Sequence, residues 1–206
     1  MPFKTHQEEF WAGKFGDDYI DRNRGADLLA RNVSLFQKTL NCTQAFGSCL
    51  ELGANIGMNL RALQVLYPGQ DQHAVEINKI AVEELSRILP DENIHHTSIL
   101  DFVPTRTWGL VLIKGVLIHV NPEYLEEVYR LLYSSSSQYI LMCEYYNPIP
   151  VTVSYRGNSD RLFKRDFCGE FMDLYPNLRL ADYGFIYRRD PKFPQDDFTW
   201  FLLEKV

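Results

Sequence analysis

Apolar positions along this chain switch repeatedly between the spacing of a helix and that of a buried strand. From about residue 5 to 40 the spacing is helical. Phe10, Trp11, Phe15 and Tyr19 give an aromatic stripe broken by Gly13 and Gly16, and Leu28, Leu29, Val33, Leu35, Phe36 and Leu40 mark a second helix from Ala26. A short buried run predicts a strand over about 48–52, and Met58, Leu60, Leu63 and Leu66 predict a helix over about 57–66. A strand over about 72–76 follows, then a helix from Lys79 to Leu89 that Pro90 ends, then a strand over about 93–97. The apolar run over about 108–113 reads as a strand covered on both faces. Pro122, with Asn121 as N-cap, opens a helix reaching about Tyr133, and a strand follows over about 138–145. Residues 146–163 have weak periodicity and read as an insertion before a helix over about 164–174. Two last segments, about 178–187 and 197–204, read as an antiparallel hairpin.

Short β-α spacing implies parallel strands, right-handed crossovers and helices on both faces of one sheet. The expectation is a single α/β domain over 1–206, with a helical lid over 1–45 and a substrate-side insertion over 146–170. A length of 206 residues with 46% hydrophobic content suits one domain with a substantial core. Net charge is −6 and the chain has no lysine/arginine-rich run, which disfavours a nucleic-acid partner. The sequence has no apolar stretch of membrane-spanning length and no signal-peptide core near its N-terminus, so a cytoplasmic protein without a membrane partner is expected. Cys42, Cys49, Cys143 and Cys168 form no C-x-x-C pair and read as reduced structural thiols, and the five histidines lack zinc spacing, so no metal is expected.

The chemistry concentrates in Glu51-Leu52-Gly53-Ala54-Asn55-Ile56-Gly57, a strand end, a tight turn and a helix start. Such a turn lets a ligand approach bare backbone near a helix N-terminus. Glu76, at the end of the second strand, is placed to accept hydrogen bonds from ribose hydroxyls. The dinucleotide fingerprint G-x-G-x-x-G fails, because Asn55 and Met58 stand where its second and third glycines belong. A nicotinamide-dependent oxidoreductase is therefore disfavoured. The pattern that fits is acidic-x-Gly-x-x-x-Gly, and it resembles motif I of the class I S-adenosylmethionine-dependent methyltransferases. A carboxylate at Glu51 attracts the ammonium of that cofactor and would repel a pyrophosphate. The resemblance implies a Rossmann-like fold with a mostly parallel seven-stranded sheet and a reversed final strand inserted into it.

Four stretches carry a narrower likeness: 9–23 (EFWAGKFGDDYIDRN), 50–57 (LELGANIG), 112–119 (LIKGVLIH) and 161–167 (RLFKRDF). With them the chain resembles the pseudaminic acid biosynthesis-associated methylases. That likeness implies a methyl acceptor of the nonulosonic-acid or nucleotide-activated-sugar kind.

Ligands of open α/β sheets bind beyond the carboxyl ends of the strands. That rule nominates Glu51, Gly53, Asn55 and Gly57 after the first strand, and Glu76 and Ile77 for ribose and one adenine face. It nominates Ser98, Ile99 and Asp101 for the adenine edge, and Lys114 and Gly115 near the methionine part. Asp101 can equally cap its own turn. Trp11, Tyr19 and Arg22 are candidates for closing over the cofactor, with helix packing as the other reading of the two aromatics. Tyr145, Tyr155, Arg156, Arg161, Lys164 and Arg165 suggest a small anionic substrate, although Lys164 and Arg165 can instead pair with Asp166 and Glu170. His119 is the candidate general base, with Glu144 and Tyr146 as alternatives. A catalytically silent cofactor-binding module serving a protein partner is the competing function. Either reading is compatible with a monomer or a homodimer.

Overall fold

The computed structural model describes residues 3–206 and, among them, every side chain but that of Ser159. The N-terminal region forms α1 (His6–Ala12), α2 (Lys14–Ile20) and α3 (Ala26–Thr39). Thr5 starts α1 with a capping box: its side chain accepts from the Glu8 N–H while the Glu8 carboxylate accepts from the Thr5 N–H. The sheet region then runs β1 (Ser48–Leu52), α4 (Met58–Leu66), β2 (Asp71–Glu76), α5 (Lys79–Leu85), β3 (Ile94–His96), β4 (Trp108–Lys114), α6 (Leu125–Ser135) and β5 (Ser136–Glu144). After it come β6 (Val151–Tyr155), β7 (Asn158–Lys164), α7 (Phe167–Leu174), β8 (Leu178–Phe185) and β9 (Thr199–Lys205).

Seven strands make one sheet in the order β3-β2-β1-β4-β5-β9-β8. The first five are parallel, and β9 pairs antiparallel with both β5 and β8, so the last strand is inserted as expected. The apolar run of β4 explains its double burial. Leu110 and Leu112 enter one core layer with Phe36 of α3 and Leu60 and Leu63 of α4, whereas Val111 and Ile113 enter the other with Val128 and Leu132 of α6 and Phe171 of α7. Strand order reverses between β1 and β4, and the crevice beyond their carboxyl ends is where an open α/β sheet admits a ligand. Among the described residues no helix is long and apolar enough to cross a membrane.

The structure corrects the sequence reading in three places. The helix after β2 ends at Leu85, short of Leu89. Residues 122–124 form a 3₁₀ turn before α6 begins at Leu125. The insertion folds as a hairpin, β6–β7, outside the main sheet, joined by Arg156 (φ +50°) and Gly157 (φ +86°). Two central residues at positive φ match the twist of a two-residue hairpin turn. Lys164 therefore ends a strand rather than starting a helix, and Asp166 caps α7 by accepting the Gly169 N–H. The hairpin gave little periodic signal because most of its side chains are half-buried or exposed on both faces.

Candidate functional site

A cleft of about 780 Å³ opens at the carboxyl ends of the strands, between the sheet and the α1–α3 region. Its floor is the turn after β1. Gly53, Asn55 and Gly57 take φ of +74°, +49° and +76°, a conformation glycine adopts freely and asparagine tolerates. A Cβ on Gly53 would lie 2.6 Å from Val116 Cγ2, so the turn and the loop after β4 pack too closely for a side chain. Asn55 stabilises its own strained position by accepting the Ile56 N–H through Oδ1 at 2.7 Å. Glu76 ties this turn to the end of β2. One carboxylate oxygen accepts the Asn55 N–H and the other the Asn78 N–H, each at 2.7 Å. The side chain is only 7% exposed yet lines the cleft. Its remaining lone pairs are fixed acceptors for a diol. Ile77, Ser98 and Ile99 line the wall beside it.

Glu51 sits behind this floor rather than in it. It is 1% exposed, accepts from Asn59 Nδ2 at 2.5 Å, and leaves Oε2 buried without a partner. Burial pushes its pKa up to about 8, against the pull of Asn59 and Lys114 and with a further push from Glu76. A carboxyl whose folded pKa is raised favours its neutral form. Its contribution to stability is therefore complete below about pH 4.5 and is lost as pH rises through about 8. Glu51→Gln should match wild-type melting at pH 5 and melt higher than wild type at pH 9; equal melting at both pH values would refute this assignment.

The N-terminal helices cover the cleft from the end of β2 to the β6–β7 hairpin. Asn78 Nδ2 donates to Asp17 at 2.8 Å and to the Trp11 carbonyl at 3.3 Å, which docks α1 and α2 on the end of β2. Trp11 and Tyr19 line the cleft with ring centroids 5.2 Å apart, and exposed Arg22 stands at its rim. Trp11 also lies 4.7 Å from the ring of His119. Asp101 is outside the lining and pairs with Lys4 at 2.9 Å instead.

His119 ends the 3₁₀ turn after β4 and lines the cleft. Its Nδ1 is 2.5 Å from the Arg161 carbonyl, which places the proton on Nδ1 and leaves the Nε2 lone pair without a partner among the described residues. Burial lowers its pKa to about 4, so the ring is a neutral acceptor at physiological pH. The turn itself hangs on Glu144. That carboxylate accepts the Val116 and Leu117 N–H groups at 3.0 Å each and the Ile118 N–H at 3.4 Å. Glu144 is thus a buried anchor for the loop and not a base facing the cleft. Exposed Tyr146 bridges to Arg165 and packs toward Phe201, outside the lining.

Of the six substrate candidates only Arg156, at the hairpin tip, lines the cleft. Arg165 pairs with Glu170 at 2.6 Å, and Arg161 pairs with Asp160 and lies over the Phe10 ring. Lys164 lies over Tyr145, and Tyr155 packs behind the lining against His119 and Phe15. Gly57 is buried beneath the cleft as the left-handed start of α4. The sequence reading missed Arg31 and Asn32 of α3 and the loop carrying Arg188, Gln195, Asp196 and Phe198, all of which line the cleft. One signal for that loop existed. A reversed β9 beside β5 must begin at the carboxyl end of β5, where Glu144 opposes Thr199, so the residues just before β9 reach the same rim.

No protein-family model and no curated protein matches this chain. Solved structures do match it. A Burkholderia thailandensis 1,6-didemethyltoxoflavin-N1-methyltransferase superposes with a TM-score of 0.72 at 11% identity, covering 100% of this chain and 92% of that one. The chain has the class I methyltransferase fold. A SAM-dependent methyltransferase from Archaeoglobus fulgidus gives 0.69 at 14% identity, covering 93% of this chain and 100% of that one. A mitomycin 7-O-methyltransferase gives 0.65 at 12% identity; it covers 98% of this chain, which spans 61% of the length of that one.

Proposed function

We propose that this chain is an S-adenosylmethionine-dependent methyltransferase acting on a small, polar, anionic metabolite. The observation that carries the reading is Glu76, a buried carboxylate lining the cleft with both oxygens already aligned by backbone N–H groups. The residues present fit the cofactor. Glu76 offers acceptors to a ribose diol, Ile77 and Ile99 give flat apolar walls for adenine, and Gly53 and Gly115 bring bare backbone to the methionine end. Unpartnered Glu51 Oε2 beneath the floor leaves a free acceptor for an ammonium group, whose arrival would favour the ionised carboxylate. Trp11 and Tyr19 present aromatic faces suited to a sulfonium. The bound cofactor would supply a methyl group already carrying its leaving group, so the protein's task is alignment and exclusion of water. Where the acceptor is a hydroxyl, His119 Nε2 is the base within this lining. The narrower assignment, to a nonulosonic acid or nucleotide-activated sugar, is supported by the sequence resemblance.

Calorimetric titration with S-adenosylhomocysteine and, separately, with NAD tests the cofactor. Binding of the first alone is expected, and binding of NAD alone would overturn the proposal. Incubation with methyl-labelled cofactor and a panel of acidic and nucleotide-activated sugars, read by mass spectrometry, then tests the acceptor. Product formation would also exclude the silent binding module.

A further inference from the structure

Lys114 ends β4 at the reversal of strand order and lines the cleft. Its ammonium lies 5.4 Å from the centre of the Phe198 ring and has neither a hydrogen-bond nor an ion-pair partner among the described residues. The surrounding acids do not neutralise it. Glu51 is occupied on one oxygen by Asn59, Glu144 is committed to three backbone N–H groups, and Asp196 faces the hydroxyl of Tyr145. Burial lowers the Lys114 pKa, with Cys143, Glu51, Asp196 and Glu144 pulling the other way. A half-buried cation with no counter-charge is costly unless something else completes it. Arg156 lines the same cleft from the hairpin tip, again with no carboxylate partner among the described residues.

We propose that Lys114 is the counter-ion for an anionic oxygen of the methyl acceptor, a carboxylate or an ionised hydroxyl, and that the cleft thereby rejects acceptors that bind as ammonium ions. This rests on reading the cleft as a shared cofactor and acceptor site, and it assigns to Lys114 the selection of acceptors that carry an anionic oxygen. The physical basis is that an ammonium group placed at Lys114 would meet a like charge in a partly desolvated space, whereas an anion completes it.

The test uses two probes of equal size and opposite charge, 4-hydroxybenzoate and 4-hydroxybenzylamine, whose rings suit the Phe198, Trp11 and Tyr19 faces. Affinity for the full chain is measured by ligand-observed NMR, with and without saturating S-adenosylhomocysteine. The carboxylate is expected to bind at least ~10-fold more tightly, a preference that Lys114→Met should reduce below ~3-fold and Lys114→Arg should retain. Equal affinity, a preference for the amine, binding of neither probe, or a carboxylate preference that survives in folded Lys114→Met would overturn the proposal. If Lys114→Met does not fold, the wild-type ratio decides. Failure of S-adenosylhomocysteine to bind would instead count against the functional reading, because the charge preference is read independently of it.

Discussion

Replacing Glu76 with alanine should weaken S-adenosylhomocysteine binding by ~10²-fold or more while the chain still folds. A hydrogen bond to a charged group contributes about 1.5–3 kcal/mol, and a ribose offers two hydroxyls to this carboxylate, so the direct loss alone is about 3–6 kcal/mol. A second loss adds to it. The same oxygens fix the Asn55 and Asn78 N–H groups, and without them the turn is held to β2 only by the Gly53 and Ala54 N–H bonds to the Val75 carbonyl. Conservative replacements should not rescue. Aspartate is one methylene shorter and cannot span both N–H groups, and glutamine must turn an NH₂ toward one of two N–H donors. Calorimetry on all three variants, with circular dichroism as the folding control, reads the effect. Folded Glu76→Ala binding within threefold of wild type would remove Glu76 from the site.

Glu76 also shows why some of this molecule is legible in its sequence. The sheet could be read because its elements carry local punctuation: the glycine turn after β1, Pro90 beyond the helix that follows β2, Pro122 before α6. Strand periodicity and turn chemistry then leave few topologies. One geometric rule, that ligands sit beyond carboxyl strand ends, brings Gly53, Asn55, Glu76, Ile77, Ser98, Ile99, Lys114 and Gly115 to one cleft, while Glu51, Gly57 and Asp101, which the same rule nominates, fall outside its lining. What could not be read is where long polar side chains settle. Arg161, Lys164 and Arg165 looked like a substrate cluster by adjacency, but a strand sends neighbours to opposite faces, and each found a local partner. Arg31 and Arg188 lie far apart in sequence and share the cleft only through the fold. Glu51 and Glu144 were identified as functional, but whether a carboxylate faces a cleft or a backbone nest depends on a few ångströms that no spacing rule contains.

Glu144→Ala should be the most damaging single change outside the hydrophobic core. The carboxylate is 3% exposed and accepts three successive N–H groups from Val116, Leu117 and Ile118. Removing it leaves those donors buried without acceptors, at about 1–3 kcal/mol each, so a loss of roughly 3 kcal/mol or more is expected. For a domain of 206 residues that lowers Tm by roughly 6–12 °C. Burial pushes the Glu144 pKa up to about 7, against the pull of the same three N–H groups. A raised carboxyl stabilises the fold below about pH 4.5 and progressively less as pH climbs through 7, so the wild type should lose part of this contribution between those values. Glutamine keeps one acceptor for the Val116 and Leu117 N–H groups and cannot ionise. Glu144→Gln should therefore lose less than half as much stability as the alanine variant, and should flatten the pH dependence of Tm between 5 and 8. The loop that Glu144 anchors also carries His119 and the Val116 side chain that closes on Gly53. Both variants should consequently weaken S-adenosylhomocysteine binding in proportion to their lost stability. An alanine variant that melts within 2 °C of wild type, measured by differential scanning fluorimetry, would show that this loop is held by something other than the carboxylate.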